Sequence, residues 1–135
     1  MGTNYYVAKT INCPHCGDEI IVWRDDSLHI GKSSGGWCFT LHVIPEERLH
    51  TWEDWKEFLK HKVIVDEYGD EMTLNEFRPV VEDREWGRRI TRSDEEMRRN
   101  HAVPGPNNLV RHAIDGRHCV GHGSGTWDLC VGEFC

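Results

Sequence analysis

Long apolar runs are missing from this 135-residue sequence. A membrane-spanning helix needs about 20 consecutive apolar residues, and no stretch approaches that length. The N-terminus also lacks the charged-then-apolar pattern of a secretory leader. The expectation is a protein of the cytoplasm that meets no membrane. Cations are scarce as well, since 16 Lys and Arg face 23 Asp and Glu, a formal net charge of −7. A nucleic-acid coat begins with excess Lys and Arg neutralising phosphates, so nucleic acid is a disfavoured partner. No internal repeat and no low-complexity tract is present, and the length suits one domain.

Two familiar catalytic signatures are absent. Gly31-Lys32-Ser33 has the ending of a phosphate-binding loop, but the residue five places earlier is Asp26, where that motif needs glycine. Gly121-His122-Gly123-Ser124-Gly125 puts its serine one position too late for a nucleophile elbow.

Cysteine and histidine, by contrast, are plentiful, with six and nine in the chain. In a reducing compartment an even cysteine count points to metal ligation more than to disulfides. Cys13-Pro14-His15-Cys16-Gly17 is the spacing of a knuckle that presents two thiolates to one zinc ion. A redox reading of the same motif needs a helix start, which Gly17-Asp18-Glu19 does not supply.

The pattern of the chain reads as α+β. Tyr5 to Ala8 and Ile20 to Trp23 have strand character, and Leu28–Ser33 and Cys38–Ile44 form a hairpin turning at Gly35-Gly36. Thr51 is placed as the N-cap of a helix whose Trp52, Trp55, Phe58 and Leu59 make one apolar face, read as core. Val63 to Val65 is a short strand. Thr73 and Glu76 fit a capping box opening a second helix with Leu74, Phe77 and Val81 inward, although Pro79 falls inside it. Arg92 to Asn100 reads as a third, polar helix, Ala102 to Asn108 as a loop, and Trp127 to Phe134 as a strand. The expected architecture is a small zinc-ribbon-like β-hairpin module (1–45), a helical part (46–100), and a Gly/His-rich C-terminal β-hairpin (109–135), all within one domain.

The hairpin turn supplies the remaining zinc ligands. With the turn at Gly35-Gly36, residues whose numbers add to 71 face one another, and His29 and His42 do so. Opposed residues on one sheet face have Cβ atoms about 4.5–5.5 Å apart, close enough for two imidazoles to share one ion. The expected site is therefore Cys13, Cys16, His29 and His42 around a single structural Zn2+, with no position open to water. Register is the weak link, because a slip of one residue sends a side chain to the other face. Cys38 has the parity of His42 and is the substitute ligand, or else a small buried hydrophobe.

The tail offers a second candidate metal set, His112, His118, Cys119 and His122. A turn at Asp115-Gly116 would oppose His112 to Cys119. If the chain has a catalytic surface, it belongs near the loop Gly121 to Gly125, with Arg111, Asp115 and Asp128 nearby. Charge is uneven too: six arginines lie between Arg84 and Arg99. Among them Arg84, Arg88, Arg89 and Arg92 are a candidate partner-binding cluster, against the plainer reading of a solvated helix face.

Three stretches carry a resemblance: Met1 to Tyr6, Cys13-Pro14-His15-Cys16, and His29 to Trp37, together with His118–Gly123 and Gly132-Glu133-Phe134 in the tail. In these the chain resembles a family of small uncharacterised zinc-binding proteins encoded by tailed bacteriophages. The resemblance implies action inside a bacterial host and supplies no catalytic residue. Two functions follow as expectations. The first is a zinc-stabilised accessory protein that binds and modulates a host protein, such as a defence or transcription factor. The alternative is a metal-dependent hydrolase or nuclease using the histidine-rich tail.

Overall fold

The computed structural model describes residues 2–12, 14–22, 27–82, 93–105, 109–112, 119–122 and 127–131, with backbone alone at 10–12, 19–22 and 119–122. Its first half runs β1 (Gly2–Val7), β2 (Lys9–Asn12), β3 (Glu19–Val22), β4 (His29–Ser34), β5 (Phe39–Val43), α1 (Trp52–Leu59), β6 (Ile64–Asp66) and β7 (Glu71–Met72). The second half runs α2 (Leu74–Glu82), α3 (Asp94–Arg99), β8 (Ala102–Pro104), β9 (Val110–His112), β10 (Cys119–His122) and β11 (Trp127–Val131).

Seven strands make one sheet in the order β10-β11-β5-β4-β1-β6-β7. Each of the three stretches of chain contributes to it. Strand β11 lies parallel to β5, with Asp128 opposite Thr40 and Cys130 opposite His42; the other pairs are antiparallel. Two ribbons stand apart from this sheet, β2–β3 and β8–β9. The fold is α+β, as expected. Ala102 to Pro104, expected as loop, is instead a strand: its three residues pair with Val110 to His112.

Helices cover one face of the sheet. The capping box at Thr51 and Asp54 is formed in both directions, and it aims Trp52, Trp55 and Leu59 into the core. Thr73 and Glu76 cap α2 reciprocally, and α2 continues through Pro79 to Glu82. A proline inside a helix forfeits one hydrogen bond, here the one to the Asn75 carbonyl. Glu82 helps to bind the two helices together: it accepts from Trp52 Nε1 at 2.8 Å and from Arg78 Nε at 3.0 Å. Phe77 sits at the centre of the aromatic core, against Tyr5, Phe39 and Trp52.

Beneath them Tyr5, Val7, Ile30, Phe39, Leu41, Ile64 and Trp127 face the helices. Gly31 lies among them, and a Cβ there would run into the Phe39 ring and the Thr40 carbonyl. The alternation of each strand then assigns Asn4, Tyr6, Lys32, Thr40, His42, Asp128 and Cys130 to the opposite face. The candidate ligands His29 and His42 lie on that second face.

Candidate metal centre and the polar row beside it

His29 and His42 come together, by a route that the simple hairpin count did not contain. The turn closes with Trp37 N–H donating to the Ser34 carbonyl at 3.1 Å, and Gly36 takes the positive φ of 78° that such a turn requires. In the body of the hairpin, however, Gly31 faces Leu41 and Lys32 faces Thr40, so opposed numbers add to 72 rather than 71. Continued unchanged, that register would send His29 and His42 to opposite faces. A second irregularity restores them. Along β1 the pairing steps from Tyr5–Gly31 to Tyr6–His29, leaving Ile30 as an extra residue turned into the core. His29 then points out beside Tyr6, at 5.2 Å between ring centroids, and reaches His42 at 5.5 Å.

Each imidazole is oriented by a second contact. His42 Nδ1 donates to the His29 carbonyl at 3.1 Å, and His29 Nε2 lies 2.9 Å from Asn4 Oδ1, which accepts its proton. A neutral imidazole with one N–H oriented in this way is the form that a metal takes once its other nitrogen is given up to the ion. Burial, reinforced by the charge of His42, holds the His29 imidazole down at about 4; the Gly31 backbone offsets part of this. Two ligands tetrahedrally placed on one ion at about 2.0 Å would have ring centroids roughly 5 Å apart, near the spacing seen. The spacing of the two rings is compatible with a zinc-type ion between them.

The knuckle sits on the β2–β3 ribbon, which leaves the sheet just after Val7, beside the histidine pair. Gly17 takes φ 78°, and residues 14–18 are exposed, Cys16 among them. Cys13 lies outside the described residues. Among the described residues no three His, Cys, Asp or Glu side chains converge as a metal site. Cys38, the substitute ligand, is buried.

In the tail the expected opposition of His112 to Cys119 is overturned. His112 on β9 faces Ala102 of β8, while Cys119 on β10 faces Cys130 of β11 and His122 faces Asp128. The β11 strand docks on β5 in parallel, which no local turn signal announces, and β10 follows it. His118, Asp115, most of the loop from Gly121 to Gly125, and the cluster Arg84, Arg88, Arg89 and Arg92 lie outside the described residues.

One group that the sequence placed only loosely turns out to be deeply set. Asp128 is 1% exposed, two strands from Lys32 along the row Asn4–Lys32–Thr40–Asp128. Burial pushes its carboxyl up to about 7, against the pull of the His112 backbone N–H and the Arg111 charge. The β8–β9 ribbon lies over this end of the sheet. Val110 bridges Trp37 in parallel, donating to the Gly36 carbonyl and accepting from Cys38 N–H. His112 stacks flat on Trp37, with centroids 4.9 Å apart and 7° between planes.

Comparison with family models, with curated proteins and with solved structures finds no match for this chain.

Proposed function

We propose that this protein is a zinc-stabilised accessory protein of tailed bacteriophages that acts by binding and modulating a host protein, such as a defence or transcription factor. The ion is held by Cys13, Cys16, His29 and His42. The observation that carries this reading is the His29–His42 pair, two oriented imidazoles brought onto one face by a bulge at Ile30. The knuckle ribbon is rooted beside that pair, since β2 follows β1 one residue after Val7 and Tyr6 lies against His29. Four protein ligands leave no coordination position for water, so the ion supports a binding surface and does no chemistry. Zinc would also lend stability to the β2–β3 ribbon, since a two-stranded hairpin is marginal by itself.

The test is zinc content with the full chain, followed by capture from a bacterial lysate with identification of the captured protein. One zinc per chain, lost in His29→Ala and His42→Ala together with specific capture, supports the reading. A folded, metal-free chain contradicts it.

One observation favours a second reading, the metal-dependent hydrolase or nuclease. Asp128, held near neutrality beside Arg111 and His112 and opposite His122 in the ladder, has the environment of a proton-transferring carboxyl. Hydrolysis of an activated phosphodiester, abolished in Asp128→Asn, would select this reading over the first.

A further inference from the structure

Two cysteines meet in the ladder that ends the sheet. Cys119 on β10 and Cys130 on β11 are direct partners in an antiparallel pair, and the irregularity between these strands falls after Cys119, before His122. Residues so opposed share a sheet face, with Cα atoms about 4.5 or 5.5 Å apart according to whether the pair exchanges hydrogen bonds. Both separations lie within the roughly 4.4–6.8 Å that a disulfide spans, so either kind of pair admits the bond. Among the described residues no other two cysteines are ladder partners.

The setting of Cys130 differs from that of a cysteine filling the core. Trp127 and Leu129 pack into the cluster beneath the helices, whereas Cys130, of the other parity, is buried outside it. Across the parallel ladder its partner is His42, which places it on the second face of the sheet. Strand β10 is the terminal strand, and β11 is its one neighbour in the sheet order. Cys119 therefore belongs to an edge, the part of a sheet that other molecules reach first. A covalent tie there would hold β10 where backbone pairing to a single strand now does.

We propose that Cys119 and Cys130 form a reversible dithiol–disulfide pair, a modification site for small-molecule disulfides of the glutathione class. One cysteine thiolate attacks oxidised glutathione, expelling one glutathione thiolate and leaving a mixed disulfide. The second cysteine then attacks the protein sulfur of that bond and expels the other glutathione. Two protein thiols give up two electrons and two protons, and the glutathione disulfide takes them to become two thiols. Excess reduced glutathione reverses both steps. Disulfides that form inside cells are mostly transient and redox-sensing, which is the role assigned to this pair. The proposal uses neither Cys13 nor Cys16 and does not rest on the zinc reading.

The test equilibrates the full chain in glutathione buffers of graded ratio, quenches the thiols by alkylation and maps the linkages by mass. Trypsin and chymotrypsin cut after Arg117, Trp127 and Phe134, which parts Cys119, Cys130 and Cys135 onto separate peptides. A Cys119–Cys130 link is expected. It should form at a glutathione ratio about tenfold or more further toward reducing in the folded chain than in guanidinium, because the fold holds the pair opposed. The melting temperature should rise by several degrees on oxidation and return on reduction. Cys135→Ser should behave as the parent does, and Cys119→Ser should lose the thermal shift. If Cys119→Ser fails to fold, the ratio comparison in the parent and in Cys135→Ser still decides. A link from Cys130 to Cys135, glutathione adducts that never resolve, or equal readiness to link in guanidinium overturns the proposal.

Discussion

The indole Nε1 of Trp55 donates to the backbone carbonyl of His42 at 2.7 Å, in a fully buried hydrogen bond. It ties a fully buried residue of α1 to the strand that carries half of the histidine pair. The helix core and the candidate metal centre, on opposite faces of one sheet, are thereby coupled through a single peptide unit. Trp55→Phe keeps the aromatic volume but leaves the carbonyl without that donor. A loss of about 1–3 kcal/mol is expected in denaturant unfolding, with weaker zinc retention against a chelator. Unchanged zinc retention would show that His42 is positioned without help from the helix.

Gly31 offers a sharper test of the bulge. Its neighbour Ile30 is the extra residue, and Gly31 itself packs under the Phe39 ring. Gly31→Ala forces a Cβ into Phe39 and the Thr40 carbonyl, and it should destabilise by roughly 1–3 kcal/mol as an overpacked core does. The His29 imidazole should shift with it, which two-dimensional NMR of the histidine rings would detect.

Asp128 sets a pH dependence whose sign can be stated. Its carboxyl titrates near 7 in the folded chain and near 4 when unfolded. Between those values the folded state binds more protons, so this group makes stability fall as pH rises from about 4 to 7. Asp128→Asn removes that loss. Its melting temperature should exceed the parent's at pH 8 by several degrees, corresponding to roughly 2–4 kcal/mol, and the advantage should vanish by pH 4. A variant no more stable at pH 8 than the parent would contradict the raised carboxyl.

The caps of the two helices should contribute in the ordinary way. Thr51→Ala removes the hydroxyl arm of the capping box, leaving the backbone N–H to donate to Asp54, and should cost about 1 kcal/mol, measured by thermal unfolding. An equal loss is expected for Thr73→Ala, where Glu76 reciprocates.

Local signals made the helices and the hairpin legible. Thr51, Thr73 and the spacing of Trp52, Trp55 and Leu59 are short-range features that packing did not override. The approach of His29 to His42 was legible for a less secure reason. The hairpin contains one residue too many near Trp37 and Cys38, where Gly36 and Cys38 bond to β9, and another at Ile30, and the two displacements cancel in parity. A bulge has no dependable sequence mark, because it is selected by partners elsewhere in the sheet. The tail was misjudged for the same physical reason. Asp115-Gly116 signals a turn, but His112 pairs back with β8 and Cys119 forward with β11, a strand whose place is set by β5, distant in sequence.

X-ray absorption at the zinc edge, on protein purified without chelators, bears most directly on the proposed centre. One zinc per chain with about two sulfur neighbours near 2.3 Å and two nitrogens near 2.0 Å is the expected result. A folded chain with no zinc, or a zinc shell unchanged when both His29 and His42 are replaced by alanine, would contradict it.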